Sequence, residues 1–81
     1  MQENIYLDGY ENLVAAVIKQ AVDDYRKALR RLRKHPSDAA AIRMKEDCER
    51  FFERDIEIYS DLDGKFIMQR IQNRVNEEME E

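Results

Sequence analysis

The chain has 81 residues, 40% of them Asp, Glu, Lys or Arg, with one Cys, one His, two Gly, one Pro and a formal net charge of −4. That length holds one domain, a single Cys excludes an intramolecular disulfide, and one Cys with one His cannot complete a zinc site within one chain. Mild acidity argues against a broad nucleic-acid surface, where a basic excess is expected, and the longest apolar run, Leu13 to Ile18, falls far short of a membrane span.

Met1-Gln2-Glu3-Asn4 lacks the charge and apolar stretch of a signal peptide. With the lone Cys, this fits a cytoplasmic protein. In chain order, Ile5, Tyr6 and Leu7 are expected to pack over the mouth of the core. Asp8-Gly9-Tyr10-Glu11 reads as a capping box that starts the first helix near residue 9. Tyr10, Leu13, Val14, Val17, Ile18, Ala21, Val22, Tyr25, Ala28, Leu29 and Leu32 then recur at spacings of three and four, the signature of a long amphipathic helix. Lys34-His35-Pro36 ends it near 34.

Ser37 is the expected N-cap of a second helix over about 38–53, with Ala41, Met44, Cys48, Phe51 and Phe52 as its apolar stripe. The short connection predicts that helices one and two form an antiparallel hairpin. Asp55-Ile56-Glu57-Ile58-Tyr59 alternates like a strand, but no partner strand is apparent. A lone strand cannot satisfy its backbone, so a short helical turn over 55–59 is expected. Ser60 with Asp63 reads as the cap of a last helix over about 61–78, with Leu62, Phe66, Ile67, Ile71 and Val75 as its stripe. Gly64 either marks the boundary before that helix or permits close packing. The acidic tail Glu77 to Glu81 opposes the helix macrodipole and should fray. The fold class is therefore all-α: a three- to four-helix bundle built on a long antiparallel helical hairpin, in one domain spanning 1–81.

Catalytic patterns are missing. Asp61-Leu62-Asp63-Gly64 resembles the opening of a calcium loop, yet the further ligands do not follow. His35 has no nucleophile nearby in sequence, and Cys48 sits on an apolar stripe as a small hydrophobe. Asp23, Asp24, Glu46, Asp47, Glu49 and Glu53 lack the Glu-x-x-His pairs of a di-metal bundle. There is no phosphate-binding glycine loop and no nucleophile elbow. The expectation is a non-enzymatic protein with no catalytic residue, metal or cofactor.

Two charged groups remain. Residues 1–40 hold 7 Lys/Arg against 6 Asp/Glu, and residues 41–81 hold 7 against 12, so the second half carries the acidity. Arg26, Lys27, Arg30, Arg31, Arg33 and Lys34 form a basic patch that either meets phosphates or compensates the helix dipole. Glu46, Asp47, Glu49, Glu53, Asp55 and Glu57 form an acidic face. The first helix also offers more apolar surface than the later segments readily cover, which favours a dimer or a protein partner.

Tyr10-Glu11-Asn12-Leu13, Ile18 to Arg26 and Ala28-Leu29 resemble the first helix of small uncharacterised helical proteins of Firmicutes phages and mobile elements. Cys48-Glu49-Arg50-Phe51-Phe52, and Asp61-Leu62-Asp63-Gly64 followed by Phe66-Ile67, resemble two further signatures of that group, over about residues 10–71. The segment before the last signature usually carries an aromatic such as Trp there; here it reads Ile56-Glu57-Ile58-Tyr59. The resemblance implies a phage or mobile-element accessory protein acting in the host cytoplasm, and it carries over no functional residue.

The expected function is binding of a protein partner. In the implied context its sharpest form is an anti-CRISPR-like inhibitor of a host defence system, with the acidic face meeting a basic channel. The alternatives are a small nucleic-acid-associated transcriptional regulator and an oligomerising structural accessory. The regulator would use the basic patch or a last helix bearing Lys65, Gln69, Arg70, Gln72, Asn73 and Arg74.

Overall fold

A computed structural model describes the backbone of residues 3–79 and the side chains of residues 13–78. The chain is all-α: α1 spans Glu3–Lys34, α2 Ala39–Arg50, α3 Ile56–Tyr59 and α4 Gly64–Met79. A π-helical turn over Phe51–Asp55 joins α2 to α3, and no strand occurs among the described residues.

Helix α1 is already formed at Glu3, so Asp8 lies inside it and does not cap it near residue 9. The periodic run that follows from Tyr10 outweighs the modest helix cost of Gly9. Thirty-two residues make a rod of about 48 Å, which accounts for the 50 Å long axis of the molecule. The side chains of Ile5, Tyr6, Leu7 and Tyr10 lie outside the described residues.

The turn after α1 is held twice. His35 N–H donates to the Arg31 carbonyl at 2.8 Å, and the Asp38 N–H donates to the His35 carbonyl at 3.1 Å. Asp38, not Ser37, is the N-cap of α2, because its Oδ1 accepts from Ala41 N–H at 3.1 Å. Its other oxygen accepts from Arg31 Nε at 2.7 Å. The Arg31 guanidinium, then the Ala41 amide, hold the Asp38 carboxyl below its usual range. Further along, Tyr25 of α1 reaches Glu49 of α2.

Ordinary α-helical bonding in α2 stops at Arg50, not near 53. Ile56 N–H donates to the Phe51 carbonyl, five residues back. A four-residue step overshoots one α-helical turn, and a wider turn undershoots it. The π turn cancels that drift, so Cys48, Phe52 and Ile56 all enter one core with Tyr25, Ile71 and Val75. The expected short turn near 55–59 is a continuation of the same helical rod.

Helix α4 begins at Gly64, later than the expected start at 61. Asp63 is its cap: Oδ1 accepts from Lys65 N–H at 3.1 Å and Phe66 N–H at 3.3 Å. Ser60 Oγ accepts only from Leu62 N–H, in a local turn before the helix. Along α4, Ile71 and Val75 are buried and Ile67 and Met68 pack beside them. Its far end is tied to α1. Arg30 pairs with Glu78, and Arg33 Nη1 donates to Asn76 Oδ1 at 3.0 Å. Acid at that helix end is therefore partnered through Glu78, and the last two residues of the tail lie outside the described residues.

Candidate functional site

The core is closed around Tyr25, which has no exposed surface. Its hydroxyl donates to Glu49 Oε2 at 2.9 Å and accepts from Gln72 Nε2 at 2.8 Å. One phenol thereby joins α1, α2 and α4. Burial, with Glu49 beside it, pushes the Tyr25 pKa well above the usual phenol value, against the opposing bond from Gln72. Cys48 is buried next to it, and burial first, then Asp24, Asp47 and Glu49, push its thiol up to about 11. A thiol held protonated is a poor nucleophile.

The expected acidic face is divided by this arrangement. Glu49 turns inward to Tyr25 and also pairs with Lys45 Nζ at 3.0 Å. Its contacts make it part of the scaffold that joins α1, α2 and α4. Asp47 meets Arg50 at 3.5 Å, and Glu46 and Asp55 are exposed. Glu53 and Glu57 come together with Asp63 and Lys65 around a shallow cleft of about 250 Å³, floored by Phe52, Ile56, Leu62 and Gly64.

Leu62 also lines a second, larger groove. Val14, Ala15, Ile18 and Lys19 of α1 face Tyr59 of α3 and Ser60 and Leu62 of the α3–α4 connection across about 470 Å³. The groove is almost wholly apolar. Leu62 is 52% exposed and Ile58 76%, and Leu13 and Tyr59 are exposed as well. Lys19, the groove's one cation, pairs with Asp23 at 3.4 Å. Leu62 thus lines both the apolar groove and the cleft that holds Glu53, Glu57 and Asp63.

Leu62 and Phe66 do not join the core stripe of α4. The helix starts after Leu62, which leaves that residue in the connection, and the buried row passes through Ile71 and Val75. Met44 is likewise exposed on α2. What could have pointed to the groove is the leftover apolar surface at the N-terminal part of α1; which residues would rim it depended on where α4 begins.

The basic patch is also divided. Arg30, Arg31 and Arg33 are consumed by Glu78, Asp38 and Asn76, as dipole compensation and clamps. Lys27 and Lys34 are exposed. Arg26 turns instead toward α4.

Among the described residues no group of three or more His, Cys, Asp or Glu is placed to hold a metal ion, and no helix is long and apolar enough to cross a membrane. Compared with known proteins, the chain matches no family model, no curated protein and no solved structure.

Proposed function

We propose that this chain is a non-enzymatic protein-binding module: a helical bundle organised on the antiparallel hairpin of α1 and α2, whose apolar groove receives a basic amphipathic helix from a partner protein. The observation that carries this reading is that Leu62 lines both the apolar groove and the acidic cleft. An apolar ridge on a partner helix would fill the space between Val14, Ile18, Tyr59 and Leu62, while its cations would meet Glu53, Glu57 and Asp63. Helix-in-groove recognition uses that combination of apolar anchors and flanking charge. The resemblance noted above supplies a context, an accessory protein of a phage or mobile element in a host cytoplasm. Within it, an inhibitor of a host defence system, anti-CRISPR-like in action, is the form of the proposal that uses the acidic residues best.

Selection from a library of displayed helical peptides tests this reading. The expected enrichment is of sequences with Leu or Ile at spacings of three and four, interleaved with Lys or Arg. Leu62→Asp should abolish the enrichment, with helicity by circular dichroism unchanged. Glu53→Lys with Glu57→Lys should remove the preference for basic residues. Enrichment that survives Leu62→Asp would contradict the proposal. A concentration-dependent dimer dissolved by the same substitution would replace the partner helix with a second copy of the chain.

A further inference from the structure

We propose that a second cleft, between α1 and α4, binds a nucleoside phosphate, either as a free nucleotide or as one unit of a single strand. The cleft is lined by Val22 and Arg26 of α1 and by Phe66, Ile67, Arg70, Ile71 and Arg74 of α4, and it holds about 320 Å³. It is separate from the groove at Leu62, with no lining residue in common.

Three arginines line it. Val22 and Arg26 are one turn apart on α1, and Arg70 and Arg74 one turn apart on α4, so the arrangement is fixed by two packed helices and not by a loop. Among the described residues no carboxylate pairs with Arg26, Arg70 or Arg74, whereas Arg30, Arg31 and Arg50 all have acidic partners. Glu77 and Asn73 line a neighbouring depression with Arg70 and Arg74, and Asp23, on the Arg26 helix, is engaged by Lys19. Like charges one turn apart on a helix repel. The Arg26 Nε is moreover buried without a hydrogen-bond partner, a state that costs free energy until an acceptor arrives. A bound anion relieves the repulsion between Arg70 and Arg74.

The rest of the cleft selects among anions. Its floor is Val22, Ile67 and Ile71, and its wall is Phe66. Arg70 lies over the Phe66 ring at 5.8 Å, and Phe66 as a residue is 57% exposed. Guanidinium forks match phosphate oxygens. An accessible aromatic beside them is the platform on which a nucleobase stacks. A carboxylate side chain would use the arginines and leave the apolar floor and the ring idle. The volume lies at the small end for ligand pockets, which suits one nucleotide unit.

The experiment is fluorescence anisotropy of a labelled short oligothymidylate titrated with the full chain at low salt. Neutralising the one phosphate of a bound unit predicts a slope of log K against log salt near about −0.7 for a single strand. The double variant Arg70→Gln, Arg74→Gln should weaken binding about tenfold or more and bring the slope toward zero. Phe66→Leu should weaken binding with the slope unchanged. Both are surface changes, and circular dichroism checks that helicity is kept.

Competition by thymidine monophosphate would assign the site to a free nucleotide. Its failure beside tight strand binding would assign it to a unit of a strand. No binding at low salt would overturn the proposal, and so would binding indifferent to the two arginines. Displacement by polyglutamate, with Phe66→Leu without effect, would also overturn it in favour of an acidic peptide. Leu62→Asp should leave this binding intact, so failure here and failure of the groove are told apart.

Discussion

The Cα of Gly64 lies directly against the backbone carbonyl of Phe52. A Cβ placed on Gly64 would stand inside the Phe52 carbonyl oxygen, 2.7 Å from its carbon and 2.9 Å from Cγ2 of Ile56. The start of α4 is therefore seated on the π turn, and only a residue without a side chain fits. Elsewhere in a helix, Gly to Ala stabilises by about 1 kcal/mol. Here the sign reverses: Gly64→Ala should destabilise by about 2 kcal/mol or more, because the obstacle is backbone and not a flexible side chain. Urea unfolding of the two forms measures it. An unchanged or raised midpoint would show that α4 does not rest on Phe52.

The Tyr25 hydroxyl bridges two helices to α1. Tyr25→Phe keeps the ring packing against Phe52 but leaves Glu49 and Gln72 without their shared partner. A loss of about 1–2 kcal/mol is expected, the cost of unmaking bonds to partly buried polar groups. Glu49→Gln should cost less, since an amide oxygen still accepts from Tyr25. Thermal unfolding of both variants checks the order.

The alkaline side of the stability profile has a defined direction. Cys48 and Tyr25 both have folded pKa values raised by burial. Their contribution is complete below the unfolded values, and it declines as pH rises and the unfolded chain loses protons first. Stability should fall from about pH 9 upward, by an amount on the order of 2 kcal/mol for Cys48 alone by the time its folded value is passed. Cys48→Ala should flatten the first part of that decline, in denaturant melts taken at a series of pH values. In the native chain the thiol should react with a disulfide reagent only as fast as the core opens.

The difference between exposed ion pairs and buried apolar side chains gives another expectation. The Arg30–Glu78 and Arg31–Asp38 pairs are surface pairs, with exposed arginine side chains. Glu78→Gln should shift stability by less than about 1 kcal/mol, and the shift should vanish in high salt. Phe52→Ala should cost about 3–5 kcal/mol at any ionic strength. Paired melts at low and high salt separate the two.

Local rules read much of this chain correctly. The three-and-four spacing from Leu13 to Leu32 is the spacing of α1, Pro36 ends it, and the Ile56–Tyr59 segment is helical because it continues the rod of α2. The caps shifted by one residue at Asp38 and by three at Asp63. In each case two neighbouring oxygen-bearing residues compete, and the carboxylate won by reaching a backbone N–H two or three residues on. The π turn left no trace in periodicity, because its signal is a tertiary contact: the Phe52 carbonyl pressed against Gly64 at the start of α4. The same limit applied to the charged groups. Glu49 and Arg33 look like their exposed neighbours in sequence, and only the meeting of α1, α2 and α4 sends them to Tyr25 and Asn76. Arg26, Arg70 and Arg74 come together for the same reason.

The groove at Leu62 is the centre of this account, and amide hydrogen exchange tests it most directly. A peptide selected on the chain should slow exchange in α1 around Val14 to Lys19 and in the Tyr59–Leu62 connection, while the Arg30–Asp38 end of the molecule is unchanged. Protection confined to the far end of α1 and α2, or equal protection in the Leu62→Asp variant, would contradict a partner helix seated in that groove.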